Sequence, residues 1–411
     1  MFSGTPSRKR DHECRSRRHD LTDIGHYCAK MPRRVLPFAL FITLLVVPSL
    51  AITTIAQAAE TTTDERPTAA VSLGDSYIAG EAGRWEGNST SSFGDRAGTD
   101  RAAIQTRWFT FYNPRAIYGT SFENGCRRSD VAPLQSAELD VHEIFNVACS
   151  GASTQNVIST SSGGQPFRGE DPQVDQLARI ASTHNVDVVA LSLGGNDLGF
   201  SEVIIDCVLR YSTSTRFFPN TCAENQQRNI TDALPAALDG VATAINDIHD
   251  TLERTGNSDY RLILQSYPAP LPHGDDFRYR ETGFDRLTRG CPFWDSDADW
   301  SNDWLIPTLN TALAEVAAEN NVEFLDLTNA LAGREACAVG ATQGAGDTAE
   351  WIRFVSTGIT QGNAGESVHP NALGQVALGH CLALTVAQTP GHFECENTPG
   401  GSPSDMTVER R

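Results

Sequence analysis

Ser76 closes the apolar run "AAVSLGDS" (residues 69–76) in a Gly74-Asp75-Ser76 turn, which leaves a hydroxyl standing clear of a strand end as a candidate nucleophile. A free serine hydroxyl needs a base. His369 in "GNAGESVHPNALGQ" is the best candidate, because Pro370 and Asn371 mark a turn just before a helix from which a side chain projects. His249, in "NDIHD", reads as solvated on a charged helix face, and His273, His380 and His392 have no comparable setting. A tetrahedral intermediate also needs donors at its oxyanion, each worth about 10²–10³ in turnover. "ACSGAS" offers the Gly151 N–H, "GGND" the Asn196 amide, and Ser76 its own N–H.

These residues lie far apart in the chain, so the elements before them must bring them to one place. "AAVSLGDS", "IFNVACSG", "VDVVALSLGGND", "YRLILQSYP" and "VEFLDL" read as strands covered on both faces. Helical patterns alternate with them in "DPQVDQLARIAS", "NITDALPAALDGVATAINDIHDTLERTG", "NDWLIPTLNTALAEVAAENN" and "NALGQVALGHCLALTVAQ", with Pro235 and Gly240 expected to kink or split the second. Alternation of this kind predicts a three-layer α/β domain over residues 66–396 with a mainly parallel sheet. Ligands bind beyond the carboxyl ends of such strands. Ser76, Gly151 and Asn196 each sit just past one. Residues 86–125 and 268–303 fall outside the alternation and read as insertions that wall a pocket or form a lid. The tail 397–411 reads as disordered.

Residues 1–58 are set apart as an N-terminal extension and secretory signal. Arg33 and Arg34 precede a long apolar run that ends in Ala56-Gln57-Ala58, and Met31 is an alternative start. Pro37 and Pro48 interrupt that run, which argues against a stable membrane anchor. Export predicts a secreted, extracellular protein. The segment carries nine basic and four acidic residues, so its removal moves the net charge from −19 to about −24. Such a balance argues against binding nucleic acid or an anionic membrane by charge. Eight cysteines remain, an even count that reads as disulfides in an exported chain. Spacing alone leaves 105 pairings open, and chain order is the simplest choice: 126–149, 207–222, 291–337 and 381–395. "DSDADW" (295–300) lacks the glycine and glutamate of a calcium loop and reads as a solvated acidic loop. "GDSY" is not G-x-S-x-G, which disfavours an α/β-hydrolase fold, and a paired Cys149 is inert as a thiol.

The blocks "GDSY", "ACSGAS", "GGND" and "HPN" together resemble the SGNH (GDSL) hydrolase superfamily, in particular its secreted actinobacterial lipases and esterases. The resemblance spans residues 69 to about 386. It implies a flavodoxin-like α/β/α fold with a five-stranded sheet, an ester hydrolase with Ser76 and His369 at its centre, and no metal or other cofactor. It also supports the first three cysteine pairs. Many members carry Asp three residues before the histidine, where this chain has Glu366. Either the Glu366 carboxylate orients His369 or a backbone carbonyl does so. The expected substrate is a small-molecule or lipid ester, cleaved by a monomer. Lipase or esterase action leads, with phospholipase and polysaccharide O-acetylesterase behind it. A groove lined by Phe93, Trp108, Phe109 and Phe111 would favour lipids, and a shallow polar cleft acetylated sugars. The alternative from another class is a secreted binding protein without turnover. With an unperturbed imidazole, activity would rise near pH 6.5.

Overall fold

The five apolar runs form β1 (Thr68–Gly74), β4 (Glu143–Asn146), β5 (Asn185–Ser192), β6 (Arg261–Gln265) and β7 (Glu323–Asp326). They stand in the order β4-β1-β5-β6-β7, all parallel. Counted along these five, the order is 2-1-3-4-5, the flavodoxin-like arrangement. Two short strands between them, β2 (Ala103–Gln105) and β3 (Thr110–Tyr112), make a separate antiparallel hairpin in the first insertion. The computed structural model describes residues 66–89, 98–356 and 361–411. The expected extension and signal over 1–58, with Met31, lie outside the described residues. None of the described helices is long and apolar enough to cross a membrane.

The sheet has seven strands rather than the expected five. β8 (His392–Asn397) adds parallel to β7, and β9 (Met406–Arg410) adds antiparallel to β8. The tail expected to be disordered over 397–411 is therefore an edge hairpin. Met406 enters the core, the Cys381–Cys395 disulfide ties β8 to the last helix, and Arg410 donates to the carbonyls of Thr389 and Pro390. Those long-range anchors outweigh the polar composition that suggested disorder.

Helices cover both faces. Ala223–Arg254 packs against both Gln173–Ala181 and Ile306–Glu319, and Ala372–Val386 packs against Pro133–Ser136. The segment expected to break at Pro235 and Gly240 is one continuous helix, Ala223–Arg254. Gly240 instead permits close approach, since a Cβ there would collide with Thr154, just after the Gly151 loop. Chain-order disulfides join Cys126–Cys149, Cys207–Cys222, Cys291–Cys337 and Cys381–Cys395. "DSDADW" is a helix, Asp295–Trp300, not a solvated loop. Its Asp297 is buried and accepts from the N–H groups of Cys222 and Ala223, capping the long helix.

Candidate active site

β1 ends where its neighbour forces it to. Gly74 adopts φ +129°, and a Cβ there would fall onto the Ser192 carbonyl at the end of β5. Only glycine fits that approach. The Gln173 side chain clasps both sides of Gly74, accepting from its N–H at 2.6 Å and donating to its carbonyl at 2.8 Å. Asp75 then donates its N–H to Ser192 O at 3.1 Å, and its carboxylate accepts from Tyr77 N–H at 3.0 Å. Ser76 follows as the first residue of a single helical turn, Ser76–Ala79.

His369 Nε2 lies 2.7 Å from Ser76 Oγ. Its Nδ1 lies 2.9 Å from the Ser367 carbonyl, an atom that can only accept, so the proton sits on Nδ1 and the Nε2 lone pair faces the serine. The carbonyl therefore orients the ring, and the alternative through Glu366 is not what the fold adopts. Glu366 is buried and turned away, accepting from Trp85 Nε1 at 2.9 Å, Tyr118 OH at 3.1 Å and Asn363 N–H at 3.0 Å. The chain between them bends sharply, with Val368 at φ +61°. A β-branched residue in that region is strained. Burial pushes the His369 pKa down to about 4, against a smaller upward pull from the Ser367 carbonyl. The imidazole is thus a neutral base well below the pH 6.5 expected of a free one.

Ser76, Gly151, Asn196 and His369 line one cleft. Asn196 Nδ2 donates one hydrogen to Ala152 O at 2.9 Å, which holds the amide and leaves its second hydrogen uncommitted. Among the described residues, the N–H groups of Ser76 and Gly151 make no hydrogen bond. Asp197 secures the meeting of the two loops by accepting from Thr154 N–H at 3.0 Å and Thr154 Oγ1 at 2.6 Å. His249 is remote, half-buried on the long helix and bonded to Tyr260 OH at 2.5 Å.

Sequence reasoning missed two tyrosines that fasten these loops. Tyr267, just past β6, donates to Asp75 at 2.5 Å and accepts from Gly195 N–H at 3.0 Å, bridging the serine turn and the asparagine loop. Tyr77 donates to Val368 O at 2.9 Å and packs edge-on against Tyr267 at 5.2 Å between ring centres. Burial pushes the Asp75 carboxyl up to about 7, partly offset by the Tyr267 hydrogen bond. The rim rule that selected Ser76, Gly151 and Asn196 would also have found Tyr267.

An apolar pocket opens beside the pair, lined by Tyr77 and Val368 together with Phe200, Ile204, Leu271, Phe293 and others. It is not the groove expected from the first insertion. Trp108, Phe109 and Phe111 stand 76%, 69% and 57% exposed on or beside the β2–β3 hairpin, and Phe93 lies outside the described residues. Aromatic content located the wrong segment because the short hairpin leaves these side chains exposed among the described residues.

Over 257 residues the chain is 27% identical to Lipase 1 of Streptomyces coelicolor, covering 62% of this chain and 75% of that one. A lipase of Streptomyces rimosus is 24% identical over 257 residues, with the same coverage. Among solved structures, phospholipase A1 from Streptomyces albidoflavus aligns at 20% identity with a TM-score of 0.47, covering 78% of this chain and 100% of that one. The family model for GDSL-like lipases and acylhydrolases matches residues 72–377, a span that holds Ser76, Gly151, Asn196 and His369. This chain belongs to the GDSL-like lipase/acylhydrolase family.

Proposed function

We propose that this protein is an exported hydrolase of carboxylic esters that works through an acyl-enzyme on Ser76, with His369 as general base. The observation that carries the reading is the 2.7 Å contact from His369 Nε2 to Ser76 Oγ, with Nδ1 held by the Ser367 carbonyl. As Ser76 Oγ bonds to the ester carbonyl carbon, its proton passes to Nε2. The oxyanion is received by the N–H groups of Ser76 and Gly151 and by the Asn196 amide. His369 then protonates the leaving alcohol, and water repeats the sequence to release the acid. The apolar pocket behind Tyr77 and Val368 supports an acyl chain longer than acetyl, which favours lipase or esterase action over removal of acetyl groups from sugars.

The test is hydrolysis of p-nitrophenyl esters of graded chain length. Ser76→Ala and His369→Ala should each lower kcat by about 10⁴ or more, with a wild-type optimum beyond the acetyl ester. A Ser76→Ala variant that turns over at the wild-type rate would overturn the assignment. A wild type without esterase activity would leave the binding-protein alternative.

A further inference from the structure

We propose that the catalytic cleft carries an anion subsite, Arg127 and Arg168, which selects esters whose alcohol part bears a phosphate. The inference rests on the Ser76 ester-hydrolase reading and extends it to the leaving group.

Both arginines line the same cleft as Ser76 and His369. Arg168 is fixed by two carbonyls, donating from Nε to Ser150 O at 3.0 Å and from Nη1 to Asn124 O at 3.4 Å. Its Nη2 has no acceptor among the described residues, and it lies 3.5 Å from the point a Cβ on Gly151 would occupy. A guanidinium edge therefore stands beside the predicted oxyanion donor with its hydrogens unclaimed. The Arg127 guanidinium lies over the Phe122 ring at 4.7 Å and the Tyr118 ring at 5.6 Å, and its side chain makes no hydrogen bond among the described residues.

Neither arginine forms an ion pair among the described residues, although Arg128, next in the chain, is paired with Glu170. The cleft holds one carboxyl, Glu81, against these two guanidinium groups, which leaves positive charge there for an anion from outside. Glu81 accepts from the Ser150 hydroxyl, and burial pushes its pKa up to about 7 against the pull of that bond and of both arginines. Even when ionised, it sets one charge against two.

The backbone has been bent to present this pair. Arg127 has φ +57° and Arg168 φ +51°, a left-handed region that non-glycine residues seldom adopt. Strain of that kind gathers at ligand sites. The Cys126–Cys149 disulfide and the bond from Ser150 N–H to Cys126 O at 3.0 Å hold the Arg127 segment against the Gly151 loop. A planar fork of N–H donors matches phosphate oxygens.

In the cleavage, the Ser76 Oγ–carbon bond forms, the bond from carbonyl carbon to the phosphate-bearing alcohol breaks, and His369 returns the proton to that alcohol. The experiment compares 1-hexanoylglycerol with 1-hexanoylglycerol 3-phosphate, which share an acyl chain and differ in the phosphate. Rates are taken per serine titrated with a neutral fluorophosphonate, so that misfolded protein does not count. Wild type should prefer the phosphate ester in kcat/KM. Arg168→Gln should cut that preference at least ten-fold, mainly through KM, Arg127→Gln should cut it by less, and Arg168→Lys should restore part of it. Equal losses on both esters in Arg168→Gln would assign that residue to the oxyanion and overturn the subsite. Ser76-dependent cleavage without preference for the phosphate ester would overturn the subsite alone. Cleavage of neither ester would overturn both readings.

Discussion

The site has a polar wall, in the cleft, and an apolar one, in the separate pocket beside it, and the two differ in chemistry and in how they are held. The polar wall, Gly125 to Arg127, Ser150–Gly151 and Arg168, comes from loops that depend on a disulfide, carbonyl contacts and strained backbone. The apolar wall includes Phe200, Val203, Ile204 and Cys207 of the helix Phe200–Thr213, with Leu271, Phe293 and Ile306 facing them. It is held mostly by packing, and Cys207 on its lining is tied to Cys222 by a disulfide. Recognition of charge needs donors fixed in direction, whereas an acyl chain needs only a dry volume. The serine and histidine sit on the seam: Tyr77 and Val368, their chain neighbours, belong to the apolar wall, while Gly151 belongs to the polar one.

A variant on the seam should not distinguish the walls. Asn196→Ala removes one of the proposed oxyanion donors and should lower kcat about 10²–10³-fold for every ester, whatever its chain or head group. A loss confined to one class of ester would mean that Asn196 serves a wall instead. Altering one wall should change one selectivity. Leu271→Trp fills the apolar pocket and should reduce kcat/KM for an octanoyl ester about ten-fold relative to the acetyl ester. The preference for a phosphate-bearing alcohol should stay as it was. If that preference moves by a similar factor, the two walls act as one pocket and the comparison fails.

The same division decides what could be read from the chain. The strand ends were legible because unbroken apolar runs followed by Gly-Asp-Ser, Cys-Ser-Gly or Gly-Gly-Asn-Asp mark buried strands reaching a rim. β8 was legible in retrospect, since Phe393 and Cys395 alternate as a half-buried strand does. β9 was not: only the pairing of 406–410 with β8 gives that polar segment its place. Glu366 shows the limit of spacing arguments. Three residues before a histidine is the right distance in sequence, yet a φ of +61° at Val368 sends the carboxylate to Trp85 and Tyr118. The arginine wall was invisible for another reason, because Arg127 and Arg168 come to one cleft only through a disulfide and a loop crossing that no local pattern encodes.

The smallest change in turnover should come from Glu366→Gln, and it separates orientation from support. If the carboxylate stabilised the His369 imidazolium, removing its charge would lower the histidine pKa and shift the acid limb of kcat/KM downward. The ring is held instead by the Ser367 carbonyl, and its pKa near 4 comes from burial, so the limb should stay where it is. The sign follows from the base needing to be neutral: activity is present above about pH 4 and lost as pH falls through it, in wild type and variant alike. Turnover of the neutral ester should change by less than about three-fold. What the variant gives up is a charge-assisted bond to each of three donors, Trp85 Nε1, Tyr118 OH and Asn363 N–H. Its melting temperature should therefore fall by several degrees, consistent with about 1–3 kcal/mol for weakened buried contacts. Tyr118 also lies under Arg127. Any catalytic effect should accordingly appear as a weaker preference for the phosphate ester, read as a raised KM on that substrate alone. A displaced acid limb with no change in melting temperature would reverse the assignment and return Glu366 to the histidine.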